Sequence, residues 1–324
     1  MVFLEVLLAL AIERLWGAVT VWRRFNWFMR FAAWSSQRIG HIRAASAGSV
    51  PMATVMTEAA DEISKNDSAR SRAGVLLAIL PPVLGVGLIH YLLGESLLIL
   101  VIFFDVVVLV YCLGPKDLDT QARAFIHACT HADQAMAQRH MADLTDADAS
   151  PEPRMPAPQM MQSVIEAILI QANERWFAII FWFFVLGPMG AVLYRLSSVL
   201  KYNATAWGLD NFAAAAQHLY AILGWLPARL TAFSYAVTGS FVDAVDGWNQ
   251  GVYDQIMNRS SGNAGVVVTS GLGALRMHDI VQGTGKQPMG VLHVKSTLAL
   301  VWRAVVFCLV MLLIINLTSW LIWF

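Results

Sequence analysis

Charged residues and cysteines are scarce in this chain of 324 residues. Only 14% of the residues are charged, whereas soluble domains usually carry about 25%. Lys plus Arg and Asp plus Glu each number 22, and the resulting zero net charge argues against a nucleic-acid-binding protein, which needs a basic surface. The cysteines show no paired spacing, which argues against a disulfide framework or a zinc site. They are Cys112, Cys129 and Cys308.

Apolar residues dominate instead, at 57% of the chain, with 12 tryptophans. This excess is too large for one water-facing globule of this size, so the composition predicts a membrane protein. The N-terminal stretch has no Lys or Arg before its apolar core, Glu5 interrupts it, and no small-residue cleavage pattern follows. We therefore expect a retained helix rather than a cleaved signal peptide.

Four apolar runs each approach the length of about 20 residues that crosses a bilayer. They are residues 73–93, 96–113, 176–196 and 298–324, the first two forming a helical hairpin over 73–113. A fifth run, 219–242, is interrupted by Pro227 and Arg229, which predicts a broken or re-entrant helix, or one that starts at Pro227. The expected fold is an all-α, polytopic membrane bundle of about four to five membrane helices, with cytoplasmic helical segments.

The distribution of positive charge predicts the orientation of these helices. Residues 19–72 contain eight Lys and Arg, whereas the tip of the hairpin has none. The positive-inside rule therefore places 19–72 and 114–175 in the cytoplasm. We expect the second of these segments to hold a helix at 119–142 and an extended Pro-rich linker at 151–158.

We expect one domain over residues 1–324, in which 176–324 forms the membrane core. A Gly-rich stretch at 261–290 predicts a loop, a helix and a second loop. Before it, apolar residues at helical spacing over 241–257 predict an amphipathic helix packed on that core.

Two further features carry titratable groups. Asp105 lies inside an apolar run, where an ionisable residue is a functional hypothesis, the alternative being a packing residue bonded to a neighbouring helix. His127 and His131 share a helix face, but no further metal ligands accompany them, so we expect a solvated face and no metal site.

Two arginines, Arg195 and Arg229, lie in or at the edge of apolar segments. A guanidinium carries a fork of donors that suits carboxylate or phosphate, so either residue can serve a ligand. A structural ion pair, for example with Glu174, is an equal alternative. Glu13 and Arg14 end the first helix, where charges also simply return to water.

Four stretches together resemble the CobD/CbiB superfamily of bacterial membrane proteins. They are Glu13-Arg14, FWFFVLGPMGAVLYR at 181–195, LGWLPARLTAF at 223–233 and SGNAGVVVTSGLGAL at 261–275. One branch of that superfamily is an ATP-using amide ligase of cobalamin (adenosylcobinamide) synthesis. The other is the AmpE family, a regulatory modulator of β-lactamase induction.

Details of the motifs favour the AmpE branch. The opening LAIERLWG, the segment KNDSAR and the ending LYR look more like AmpE. The ligase branch carries an Ala-Glu-Asn-Thr pattern where this chain reads QANERWF, and Asn-Thr-Leu-Asp where it has residues 197–200, Ser-Ser-Val-Leu. The resemblance thus implies an inner-membrane signalling protein linked to β-lactamase induction and cell-wall recycling, more a binding protein than an enzyme. The alternatives are the cobalamin-type ligase, and a transporter or scaffold that uses Asp105.

The resemblance also implies a site at the cytoplasmic face for a small anionic ligand or a membrane signalling partner, with Pro227 starting a helix that directs Arg229 into a polar cavity. It implies no catalytic residue and no required cofactor, and it leaves open whether a nucleotide such as ATP binds. The implied ligand-binding residues are Glu13, Arg14, Glu174, Tyr194, Arg195, Arg229, Ser261 and Asn263.

Overall fold

The structure is a computed structural model that describes residues 2–15, 25–35, 58–94, 98–113, 118–145, 156–249, 262–277 and 289–322. Nearly all of these residues are helical and none of them lies in a strand, which confirms the all-α prediction. The helices are α1 (Val2–Leu15), α2 (26–35), α3 (Glu58–Gly94), α4 (Leu98–Cys112), α5 (Leu118–Thr130), α6 (Gln134–Thr145), α7 (Ala157–Ala172), α8 (Ala178–Leu186), α9 (Pro188–Asn203), α10 (Asp210–Thr238), α11 (Phe241–Asn249), α12 (Gly262–Ala274) and α13 (Val291–Ile322). A π-helical turn, Asn173–Phe177, joins α7 to α8, and a 3₁₀ turn, Thr205–Trp207, follows α9.

The chain forms two compact units. The first comprises Met1–Thr20, Leu113–Phe181 and Gly224–Phe324. In it α13 packs against α1, α5 and α7, while α12 packs against α7 and α11. The second comprises Val21–Cys112 and Trp182–Leu223, and there α3, α4 and α9 pack against one another. A single domain over the whole chain stays a prediction.

Three helices of the described residues are long and apolar enough to cross a membrane, namely Ser71–Gly94, Ala157–Leu186 and Val291–Thr318. The apolar helix Leu98–Cys112 is shorter, at 15 residues. These lengths and compositions confirm a helical membrane protein.

The expected membrane helix at 176–196 is wrong as a single helix, because the chain breaks at Gly187. That glycine has φ of +64°, a left-handed conformation, and Pro188 then opens α9. The span instead uses the preceding residues and begins at Ala157. Residues 157–175, expected in the cytoplasm, therefore belong to a helix long enough to cross a membrane.

Pro227 does not break or start a helix, contrary to expectation, because α10 runs through it without interruption. Proline lacks an N–H, so the Leu223 carbonyl loses its partner four residues later. The indole N–H of Trp182 donates to that carbonyl at 3.0 Å. The hydrogen bond that proline removes is thereby replaced from a different helix, which lets the helix continue.

The expected helix at 119–142 is two helices, α5 and α6. Between them Ala132 adopts a left-handed φ of +56°. The Asp133 carboxylate then accepts the backbone N–H of Met136 at 3.0 Å and caps the start of α6. The cap replaces the hydrogen bonds that the interrupted helix loses.

The amphipathic helix expected at 241–257 is described over α11, and residues 250–257 lie outside the described residues. Its apolar residues Phe241 and Val245 are exposed, whereas the small Ala244 is buried. The backbone N–H of Ser240 bonds to the Ala274 carbonyl at 3.0 Å and ties α11 to α12. Small residues therefore make the contact that the apolar stripe was expected to make.

Candidate functional site

A cavity of about 210 Å³ lies in the first unit, beside the C-terminal end of α1. We call it the α1 cavity. It is lined by Leu10, Glu13, Arg14, Asp119, Trp176, Trp302 and Val305. Two of the eight predicted site residues, Glu13 and Arg14, thus lie together with a second acid and two tryptophans. Its volume suits a small polar group or one end of a larger ligand, because drug-sized ligands occupy about 300–1,000 Å³.

Aromatic rings orient the cation of the α1 cavity. The guanidinium carbon of Arg14 lies 4.9 Å from the centre of the Trp302 ring. The Trp302 and Trp176 rings are tilted against each other with centres 5.3 Å apart. A guanidinium over a tryptophan face is held by the ring quadrupole, while its edge keeps donors available for an anion.

Acidic groups line the same cavity as this cation. Asp119 lies in the first turn of α5, where the helix dipole favours a carboxylate. Its side chain is 14% exposed and accepts a 2.7 Å bond from the Arg123 Nε. Glu13 is half-buried. The cavity therefore combines carboxylates, which accept protons, with a guanidinium, which binds phosphate or carboxylate.

The π-helical turn positions one wall of the α1 cavity. The Ala178 N–H bonds to the Asn173 carbonyl, five residues earlier, and such turns occur frequently at functional sites. Within the turn, Trp176 lines the cavity and Arg175 donates to Gln121 of α5 at 3.1 Å. Glu174, a predicted site residue, is half-buried in the same turn.

A buried hydrogen bond holds the turn against α10. The Thr231 hydroxyl donates to the Asn173 side-chain oxygen at 2.9 Å, and both residues are buried. The register of α10 is thereby coupled to the wall that carries Trp176.

Arg229 makes its contacts within its own helix. Its guanidinium carbon lies 3.9 Å from the Trp225 ring centre, and one nitrogen donates to the Trp225 carbonyl at 3.0 Å. Among the described residues no carboxylate pairs with it, and it does not line the α1 cavity. Its placement follows from side-chain length, because a long cationic chain covers apolar surface while its head reaches a polar partner.

The remaining predicted residues lie in three places. The Asn263 amide nitrogen is 3.2 Å from the position that a Cβ on Gly224 would take, so α12 packs closely on α10 there. Ser261 lies outside the described residues. Tyr194 and Arg195 belong to the second unit. A common cavity for Arg195, Arg229 and the Ser261 loop stays a prediction.

In the second unit Tyr194 is fully buried and its hydroxyl donates to that of Tyr220 at 3.3 Å. The Arg195 guanidinium carbon lies 5.5 Å from the Phe25 ring centre. Ser197 and Ser198 are both buried, and Ser197 donates to the Tyr194 carbonyl at 2.7 Å. This part of α9 thus presents hydroxyl groups engaged in packing.

Asp105 has a partner that the sequence did not name. Its carboxylate lies 2.8 Å from the Nδ1 of His90 on α3, and Asp105 is buried. The rings of His127 and His131 stack at 4.1 Å on an exposed surface. No group of three or more metal-ligating side chains occurs within the described ranges.

Comparison with known proteins identifies the family. The model of the CobD/CbiB protein family matches residues 6–278. The chain belongs to the CobD/CbiB family. A cobalamin biosynthesis protein CobD of Stutzerimonas stutzeri is 31% identical over 255 residues, which cover 73% of this chain and 79% of that relative. A protein of the same name from Chromobacterium violaceum is 32% identical over 182 residues, 55% of each chain.

No solved structure matches this CobD/CbiB chain. The names of its relatives favour the cobalamin-synthesis alternative over the AmpE branch, which they do not confirm.

Sequence reasoning on this CobD/CbiB protein missed three residues of the α1 cavity, namely Asp119, Trp176 and Trp302. Asp119 carries a recognisable signal, an acid at the start of a helix with Arg123 four residues later. The tryptophans carry no such signal, because each lies in an apolar run where tryptophan is common.

Proposed function

We propose that this CobD/CbiB protein acts in cobalamin biosynthesis, as a membrane-bound, ATP-dependent amide ligase. The names of two relatives support the pathway. The observation that carries the proposal is the α1 cavity, where Glu13 and Arg14, implied as ligand-binding by the family resemblance, meet Asp119.

Amide formation from a carboxylate and an amine needs activation of the carboxylate, attack by the amine and removal of a proton from it. In the proposed reaction the γ-phosphoryl group of ATP passes to the substrate carboxylate, releasing ADP and forming an acyl phosphate. The amine then attacks the acyl carbon, phosphate leaves, and the amine loses a proton. We assign anion binding to Arg14 and proton acceptance to Glu13 or Asp119, with the tryptophan walls excluding water from the acyl phosphate.

The proposal locates the protein in the cytoplasmic membrane, with the α1 cavity facing the cytoplasm, where ATP is available. The turn at residues 131–133, between α5 and α6, is exposed and should therefore tolerate an insertion. A reporter that is active only in the cytoplasm, inserted there, should be active. An inactive reporter with normal protein levels would contradict this orientation.

The activity is tested with the purified full-length protein in proteoliposomes, supplied with cobyric acid, aminopropanol and ATP. We expect an amide product by mass spectrometry and one ADP per amide. Arg14→Gln should lower kcat/KM by about 10- to 100-fold, the value of one or two charge-assisted hydrogen bonds. Arg303→Gln is the matched control, because Arg303 is an exposed arginine of α13 beside Trp302 in sequence but outside the cavity. If the wild type is active and Arg14→Gln and Arg303→Gln change kcat/KM equally, the proposed site is refuted. If the wild type forms no amide, the proposed ligase activity is refuted.

A second candidate is a regulator of the AmpE type, and the buried serines of α9 favour it. Where the ligase branch carries an Asp and a Thr, this chain has Ser197–Leu200, whose two serines are buried. A degraded catalytic pattern with a retained cavity suits a sensor. Deleting the gene and measuring β-lactamase induction by a β-lactam tests it, and unchanged induction together with amide synthesis would exclude it.

A further inference from the structure

An apolar groove of about 540 Å³ lies in the second unit among α2, α3, α4 and α9. We call it the hairpin groove. Its walls include Phe31, Pro82 and Val107, and the buried Leu196 of α9 forms part of its floor. The volume falls within the range of about 300–1,000 Å³ that holds a small molecule.

The hairpin groove opens towards lipid. Its lining residue Ile89 is exposed and belongs to Ser71–Gly94, one of the helices long enough to cross a membrane. Val107 is likewise exposed on the apolar helix α4. Exposed apolar side chains on such helices contact acyl chains in a bilayer. The groove can therefore be entered from the hydrocarbon of the membrane.

One arginine, Arg195, borders the hairpin groove, although no charged residue lines it. The Arg195 guanidinium lies over the ring of Phe25, a lining residue, at 5.5 Å. Guanidinium groups bind phosphate through paired hydrogen bonds, so this rim is complementary to an anionic headgroup.

A polar pair also lies at the rim. The indole N–H of Trp27 donates to the hydroxyl of Tyr111 at 2.9 Å, and both residues line the groove. The hydroxyl accepts this bond and retains its own hydrogen as a donor. Tryptophan and tyrosine concentrate where lipid headgroups begin, because each has an apolar body and a polar tip.

We propose that the hairpin groove binds one acyl chain of an anionic phospholipid of the bilayer, whose phosphate contacts Arg195. An acyl chain leaves an equally apolar bilayer when it enters the groove, so apolar transfer itself contributes little. Retention depends instead on packing against the rigid aromatic and proline walls, and on the headgroup. This lipid site is independent of the proposed ligase activity.

The test uses the full chain purified in detergent, with dioleoylphosphatidylglycerol as the probe and native mass spectrometry as the readout. We expect one lipid to be retained by the wild type. Val107→Trp fills the groove and should lower that occupancy at least tenfold. Ile99→Trp is the matched control on the same helix, because Ile99 is exposed and outside the groove, and its occupancy should equal that of the wild type.

The headgroup contact is tested separately with Arg195→Gln. Loss of a charge-assisted phosphate contact should lower retention of the probe about tenfold, whereas Arg303→Gln, a change at an exposed arginine of α13, should not. Size-exclusion elution and thermal unfolding of each variant confirm that it is folded. A wild type that retains no lipid, as when the chain's own residues fill the groove, overturns the proposal. So does equal retention by Val107→Trp and the wild type, or by Arg195→Gln and the wild type.

Discussion

The hydrogen bond from Trp182 to the Leu223 carbonyl is expected to stabilise the protein only because Pro227 is present. Proline removes the N–H that this carbonyl would otherwise accept, and the indole N–H replaces it at 3.0 Å. Trp182→Phe keeps an aromatic ring and deletes the donor. An unsatisfied buried acceptor costs about 1–3 kcal/mol, so the free energy of unfolding should fall by about that amount.

Restoring the backbone donor should remove the effect. In Pro227→Ala the N–H of residue 227 can bond to Leu223, and Trp182→Phe should then cost less by about 1 kcal/mol or more. The difference between the two costs is the coupling energy of a double-mutant cycle. Because the cycle subtracts every other loss at Trp182, it isolates the interaction with the orphaned carbonyl.

The assay is unfolding of the detergent-solubilised protein by SDS titration, followed by circular dichroism. Trp207→Phe is the control, because Trp207 lies in the 3₁₀ turn with a partly exposed side chain. Its cost should be the same in both backgrounds. Equal costs of Trp182→Phe with and without Pro227 would refute the reasoning, since the donor would then serve no orphaned acceptor.

Two other substitutions test close contacts of the first unit in the same assay. Gly239→Ala should destabilise the protein by about 1–3 kcal/mol, because a Cβ there would lie 2.7 Å from the Ala274 carbonyl oxygen. The control Gly94→Ala should be tolerated, because its Cβ would meet no atom within 4 Å. Equal costs of the two substitutions would refute the close approach at Gly239. Thr231→Val should lower the free energy of unfolding by about 1–3 kcal/mol, because it removes the hydroxyl that donates to buried Asn173. The control Thr318→Val, at an exposed threonine, should cost less. A Thr231→Val variant as stable as the wild type would show that the bond does not hold the π-helical turn.

Local patterns predicted the helices whose causes are local. The apolar runs at 73–93 and 96–113 correspond to parts of α3 and α4, since continuous apolar sequence needs no distant partner to indicate a buried or lipid-facing helix. The break at Gly187-Pro188 was also readable, because glycine followed by proline commonly ends a helix. It was missed because the apolar run continues on both sides.

Features that depend on residues distant in the chain could not be predicted from the sequence. The continuity of α10 depends on Trp182, which lies 41 residues before the carbonyl it contacts. The π-helical turn is held by Thr231, 58 residues after Asn173. In the α1 cavity, only Glu13 and Arg14 were named beforehand, and they came from the resemblance. Asp119, Trp176 and Trp302 join them through packing of α1, α5 and α13, which no spacing in the sequence encodes.

Arg14 and Arg229 share one device, a guanidinium over a tryptophan face, yet they differ in surroundings. Arg229 lies over the exposed ring of Trp225, and one of its N–H groups donates to a carbonyl of its own helix. No ligand is therefore needed to explain its position. Arg14 is exposed and lines a cavity that is also lined by Asp119, a nearly buried carboxylate held by Arg123. Since a guanidinium that lines a polar cavity can donate to an arriving anion, Arg14 is the stronger candidate for the residue that binds a phosphate.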